Sequence, residues 1–186
     1  MNFIHPLKNT FQRNWGSFIF ALGCTLLVSS CGTTRNLSKT DIQSLARASV
    51  RLGFDIGYKD NHRLMIEASQ WLGVPYRYGG ITKSGVDCSG LTYNIYKNVY
   101  HVNLIHNSQR QLDENVNMKV KKSKLKQGDL LFFSPKRSKR KINHVGIYLK
   151  DGKFIHSSSS KGVRVDYLED DYWRKQWVTG GRVTFL

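Results

Sequence analysis

The sequence predicts an α+β domain in which helices come first and a single antiparallel sheet follows. Two observations point there. Between positions 40 and 99 apolar residues recur at helical spacing. Past Gln127 they gather into short β-rich runs separated by Gly, Asp, Ser and Lys, and the chain shows no internal repeat. Its 186 residues, 40% apolar and 12% aromatic, suffice for one ordinary core and exclude a largely disordered chain. The charge of 29 Lys and Arg against 13 Asp and Glu, net +16, implies a basic surface. Such a surface suits nucleic acid, an anionic membrane or an acidic polymer, and does not choose among them.

The first thirty residues read as an address. Residues 1–14 hold Lys8 and Arg13 and no acid, and residues 15–28 carry no charge. That run is shorter than the ~20 apolar residues a membrane span needs, but it suits the apolar region of a signal peptide. It ends in Val28-Ser29-Ser30-Cys31-Gly32, which resembles the lipobox of bacterial lipoproteins, with Cys31 lipidated as the mature N-terminus. Cys24 fits less well, because Ala21 precedes it and the apolar run continues past it. The competing reading is a short buried helix with an incidental Cys. The lipobox implies a signal peptide over 1–30 and a lipid-anchored protein of the bacterial cell envelope, on the periplasmic side and at the outer membrane. Cys88 is then the only thiol of the mature chain, to be buried or used in an oxidising compartment.

Residues 31–60 are expected to hold the lipidated N-terminus, a tether and a short helix over 40–52, with Thr40 and Gln43 in capping-box spacing. A folded domain is expected over 61–186. It should begin with a helix over 62–72, capped by Asp60 or Asn61, with Leu64, Met65, Ala68, Trp71 and Leu72 on one face. A Pro- and Gly-punctuated loop follows. A helix then starts near Cys88 and places Leu91, Ile95 and Val99 on one face. Strands are expected over 130–133, 144–149, 153–157, 163–167 and 182–185. Two basic runs, 119–126 and 136–141, read as solvated loops or as a platform for an anionic wall polymer or lipid headgroups.

Chemistry concentrates around Asp87-Cys88-Ser89-Gly90, where a Gly-rich loop becomes a helix. A thiol there meets the positive end of the helix dipole and unpaired N–H groups, both of which favour thiolate. If Cys88 is a nucleophile, alkylation of the folded protein at neutral pH is expected to abolish activity. His144 and His156, on successive strands, are candidates for the proton acceptor and for the group that orients it. A two-residue Asp151-Gly152 turn between those strands would send the two histidines to opposite faces. A three-residue turn with Gly152 left-handed, or an equivalent bulge, makes them diagonal neighbours on one face.

Five segments together resemble the NlpC family of papain-like cell-wall cysteine peptidases. They are Tyr76-Arg77-Tyr78-Gly79-Gly80, Asp87-Cys88-Ser89-Gly90, Lys126-Gln127-Gly128-Asp129-Leu130-Leu131-Phe132-Phe133, His144-Val145-Gly146-Ile147-Tyr148 and Phe154-Ile155-His156. The matching stretch covers roughly residues 61–186. The resemblance implies a papain-like fold with N-terminal helices on a central antiparallel sheet of five to six strands. It implies hydrolysis of peptide bonds in peptidoglycan stem peptides or cross-links, with Cys88 as nucleophile, His144 as base and His156 as orienting residue. Tyr76 matches the tyrosine beside the nucleophile and would share oxyanion stabilisation with the Cys88 amide, each donor supplying about 3 kcal/mol. Asp87 and Ser89 match positions that line the substrate groove. Similar members often carry Leu-Pro-Arg where this chain has Leu104-Ile105-His106, which leaves bond choice open; the small catalytic domain leans towards the endopeptidases.

No metal or other cofactor is required by this reading. The partners it implies are stem peptides and, through the N-terminal lipid, a membrane; nucleic acid is not one, and the protein is expected to be a monomer. Other readings are a zinc site built on Cys88, His144 and His156, for which no fourth ligand is suitably spaced, and two satisfied sheet histidines beside an inert Cys. At the level of function, the alternative is a non-catalytic peptidoglycan-binding envelope lipoprotein. A nucleic-acid binder lacks any recognisable reading module. His62, His101 and His106 read as surface residues, and Tyr93, Tyr96 and Tyr100 as packing.

Overall fold

A computed structural model describes residues 39–135 and 141–184. The signal-peptide and lipobox residues, Cys31 included, and most of the second basic run lie outside that range. Helix α1 (Lys39–Leu52) starts one residue earlier than expected, so Thr40 sits within its first turn rather than capping it. Its Ala48 and Leu52 are buried, and the helix packs along α2 (His62–Trp71). Asn61 is the α2 cap, its side-chain oxygen accepting the Leu64 N–H at 3.1 Å. Leu64, Met65, Ala68 and Trp71 form the buried face that the spacing predicts. Among the described residues no helix is long and apolar enough to cross a membrane.

A short hairpin, β1 (Ile81–Thr82) with β2 (Gly85–Val86), leads into α3 (Cys88–Tyr100). Leu91, Ile95 and Val99 of α3 are buried as expected. Tyr96 is buried too, its hydroxyl donating to the Gly128 carbonyl at 2.6 Å. The chain then makes α4 (Ser108–Arg110), which runs into a π-helical turn over Gln111–Asn115.

The sheet consists of β3 (Met118–Val120), β4 (Leu130–Phe133), β5 (His144–Lys150), β6 (Lys153–Ser158), β7 (Gly162–Tyr167) and β8 (Trp177–Arg182), with α5 (Asp171–Gln176) before the last strand. Its order is β3-β8-β4-β5-β6-β7, and every neighbouring pair is antiparallel. Leu130 and Phe132 of β4 join the helix-side core with Leu64, Leu91, Ile95, Val145, Ile147 and Ile155. Leu131 and Phe133 point the other way, into a second cluster with Phe154, Leu168 and Trp173. A strand covered on both faces is apolar throughout, and each such side chain withdrawn from water contributes about 2 kcal/mol.

Two strand expectations are corrected. The last strand runs Trp177–Arg182 rather than over 182–185. The Gly180-Gly181 pair lies within it because the sheet is crowded there: a Cβ on Gly180 would strike Leu125 and Val120, and one on Gly181 would strike Val116 and Phe132. The basic run 119–126 is not a loop throughout. Lys119 and Val120 belong to the edge strand β3, pairing with Gly181 and Gly180, and Lys122 reaches Glu169 at 3.1 Å.

The β5–β6 hairpin decides where the two histidines face. Ile147 pairs with Ile155 and Tyr148 with Phe154, the register that puts both histidines on one face, whereas Lys150 pairs with Lys153, one step off. The turn therefore has two residues, Asp151 and Gly152, with φ of 50° and 77°, as a type I′ turn requires. The extra residue is absorbed by a bulge between Tyr148 and Lys150. The three-residue turn is replaced by its equivalent bulge.

Candidate active site

The start of α3 is built around one carboxylate. Asp87 has extended backbone, and its Oδ1 accepts the Gly90 N–H at 2.7 Å and the Ser89 hydroxyl at 3.0 Å. Oδ2 accepts the Gly79 N–H at 2.9 Å, which ties the glycine loop to the helix. His106 Nε2 lies 3.0 and 3.1 Å from the two oxygens. A Cβ on Gly90 would collide with the Gly80 carbonyl, so the close approach of loop and helix requires glycine there. Gln111, fully buried, donates to the Ser89 and Ile105 carbonyls at 3.2 and 2.8 Å and joins the same helix start to the 104–107 segment.

The resemblance had Asp87 and Ser89 lining the groove. The structure buries both, at 7% and 6% exposure, with their polar atoms committed to the helix start. His106, read as an unattached surface residue, is exposed yet bonded to Asp87.

Cys88 follows Asp87 and is itself buried. The amides of Val145, Ser89 and Cys88 approach its sulfur and favour thiolate, but burial outweighs them and pushes the thiol up to about 11. The thiolate expected from the helix start is therefore not the resting form. Burial also lowers His144 to about 3, with the neighbouring His156 adding to the effect and Asp166 opposing it. His156 is shifted down as well, again by burial. In the substrate-free groove these shifts favour the neutral thiol of Cys88 and the neutral imidazole of His144.

The two histidines meet as the hairpin register requires. His144 Nε2 is 3.0 Å from His156 Nδ1, and the rings meet edge-on at 80°, not stacked. His156 Nε2 is in turn 3.0 Å from Asp166 Oδ2. The same oxygen accepts the Trp173 indole N–H at 3.0 Å, and Asp166 Oδ1 accepts from Arg164 Nε at 2.5 Å. Burial alone would raise the Asp166 carboxyl; the bonds from His156, Trp173 and Arg164 outweigh it and hold the group at about 2. Trp173 lies face to face with His144, at 5.3 Å and 23°, and edge-on to His156 at 4.7 Å.

Tyr76, Cys88, His144, His156, Asp166 and Trp173 all line one groove of about 580 Å³. Tyr76 is half-buried, and its phenol is raised by burial and then by the nearby Cys88 and Asp87. Asp166 and Trp173 escaped the sequence reading. Asp166 announces itself only once β6 and β7 are in register, with Phe154 opposite it and His156 next along the same face; Trp173 carried no motif. Among the described residues no three His, Cys, Asp or Glu side chains are grouped as metal ligands.

This geometry agrees with what similar proteins are. A family model described as the NlpC/P60 family matches residues 73–182. A probable endopeptidase NlpC homolog of Haemophilus influenzae is 36% identical over 115 residues, covering 62% of this chain and 58% of that protein. Murein DD-endopeptidase MepS/murein LD-carboxypeptidase of Escherichia coli is 35% identical over 121 residues, covering 65% and 62%. The chain thus spans about three fifths of the length of these curated relatives. Among solved structures, an NlpC/P60 family protein from Bacillus cereus superposes with a TM-score of 0.61 at 31% identity, covering 69% of this chain and 42% of that one. The NlpC/p60 domain of peptidoglycan hydrolase SagA does so with 0.57 at 28%, covering 67% and 99%. A cysteine at a helix start, two histidines on one face of an antiparallel sheet and a profile match over most of the described residues lead to one assignment: the chain belongs to the NlpC/P60 family.

Proposed function

We propose that this protein is a cysteine peptidase that hydrolyses peptide bonds in peptidoglycan stem peptides or their cross-links. The observation that carries the reading is that Cys88, His144 and His156 line one groove, with the two imidazoles 3.0 Å apart. The names of its relatives, murein endopeptidases among them, support the choice of substrate.

In this reading the Cys88 sulfur attacks the scissile carbonyl as its proton passes to His144. Because the resting pair is neutral, proton transfer and attack proceed together rather than from a preformed thiolate. The oxyanion forms within reach of the Cys88 amide and the Tyr76 hydroxyl. Collapse expels the amine, which takes the proton back from His144 and leaves a thioester on Cys88. Water, deprotonated by His144, then attacks the thioester and releases the carboxylate, and the thiol regains its proton. His156 holds the His144 ring throughout.

The reading includes a lipid anchor on Cys31 and a place on the periplasmic side of the outer membrane, supported by Val28-Ser29-Ser30-Cys31 and the uncharged run before it. Hydrolysis of purified peptidoglycan by the wild type and not by Cys88→Ala is the expected result, with mass spectrometry of the products naming the bond. Equal turnover by the Cys88→Ala protein would sink the reading. For the anchor, Cys31→Ala is expected to move the protein out of the membrane fraction.

A further inference from the structure

The groove contains a carboxylate that the mechanism above does not use. Asp166 lies two strands from His144 and is bonded to the buried His156. We infer that Asp166 is a positioning residue that sets the tautomers of both histidines and thereby makes His144 a base. The inference rests on the peptidase reading and extends it.

The argument is one of donors and acceptors. A neutral imidazole has one N–H and one bare nitrogen, and an ionised carboxylate only accepts. Asp166 Oδ2 at 3.0 Å therefore requires the proton of His156 on Nε2. His156 Nδ1 is then bare, and at 3.0 Å it requires the proton of His144 on Nε2. That leaves His144 Nδ1 bare, the one ring nitrogen free to take the Cys88 proton. A group at position 166 that could donate to His156 would reverse the chain. His156 would then carry its proton on Nδ1 and His144 would carry its own on Nδ1, with no base facing the thiol. The sign of one charge thus decides the protonation of a ring two hydrogen bonds away.

The surroundings of Asp166 preserve that charge. Arg164 on the same strand supplies the compensating cation, and Trp173 on α5 supplies a second neutral donor. The titratable groups of β5 and β6 that act on it are the two imidazoles, and Asp170, just before α5, lines the same groove. Asp166 also faces the positive charge that appears on the histidine pair while His144 holds the thiol proton, which stabilises that moment without any movement.

The test is Asp166→Asn, which keeps the shape and removes the acceptor-only character. The expected result is a fall in kcat of about 10²-fold or more with KM changed by less than about threefold; the corresponding exchange next to a serine-protease histidine costs about 10⁴. Melting temperature is measured on both proteins, so that a fold defect is recognised. A readout independent of turnover is ¹⁵N NMR of labelled histidines. In the wild type both rings should be protonated at Nε2, and in Asp166→Asn signal from Nδ1-protonated rings should appear. Wild-type rings protonated at Nδ1 would overturn the inference even if the variant were too unstable to assay, as would a folded variant with kcat within threefold of wild type. If the wild type leaves peptidoglycan intact, it is the peptidase reading that fails, and the NMR result still decides the tautomers.

Discussion

At the level of single residues, position along the chain and depth in the fold pull Cys88 in opposite directions. Its place at the first turn of α3 favours thiolate, but desolvation dominates and raises the thiol to about 11. Iodoacetamide is therefore expected to modify Cys88 slowly at pH 7 and faster by roughly tenfold per unit as the pH rises towards that value; mass-spectrometric rates across pH 7–10 check this. A fast, pH-independent reaction at neutral pH would show an ionised sulfur instead. Cys88, His144 and His156 were legible because their residue types and spacing carry the chemistry in one dimension. Asp166 and the His106 contact were not, because each depends on a neighbour brought close by strand register or loop path.

At the level of elements, legibility followed periodicity. Helices α2 and α3 have unbroken 3.6-residue apolar faces, and strands β4 to β7 are compact β-rich runs, so both groups stood out. β8 was misplaced because two glycines inside a strand look like a stop, and β3 was hidden because its lysine points to solvent while only Val120 is buried. The junction between the glycine loop and α3 is the element on which the placement of Cys88 depends. Gly90→Ala should force the Gly80 carbonyl away from the helix start and displace Cys88 with it. The expected cost is about 1–3 kcal/mol of stability from overpacking, together with loss of turnover well beyond what that destabilisation explains. Chemical denaturation alongside kcat measures the two separately, and a fully active Gly90→Ala protein would contradict the tight junction.

For the molecule as a whole, burying neutral histidines makes the fold acid-sensitive. The His144 pKa is about 6.5 when unfolded and about 3 when folded, so between those values only the unfolded chain binds the proton. Stability is therefore complete above pH 6.5 and declines as pH falls from there towards 3, by up to about 1.4 kcal/mol per unit for each such histidine. His156 shifts in the same direction and adds to the slope. Asp166, lowered to about 2, contributes stability that begins to fade only below pH 4. Urea midpoints at pH 7.5, 6 and 4.5 should fall in that order, and His144→Gln should flatten the trend. A midpoint that does not move over this interval would mean that the imidazoles are not held neutral.

The sequence by itself determined the order of helices and strands and the family, and it singled out Cys88, His144 and His156, because those rest on residue types at fixed separations along one chain. Tertiary structure alone decided that the turn takes two residues with a bulge behind it, that Asp87 is spent on the helix start, that the thiol rests protonated, and that a carboxylate on β7 stands behind the histidine pair. The last two depend on burial and on contacts between separate elements, where electrostatic energies at 3 Å away from water outweigh any local preference of the residues concerned; the first two are local, set by the strand register and by the cap that Asp87 makes to Gly90.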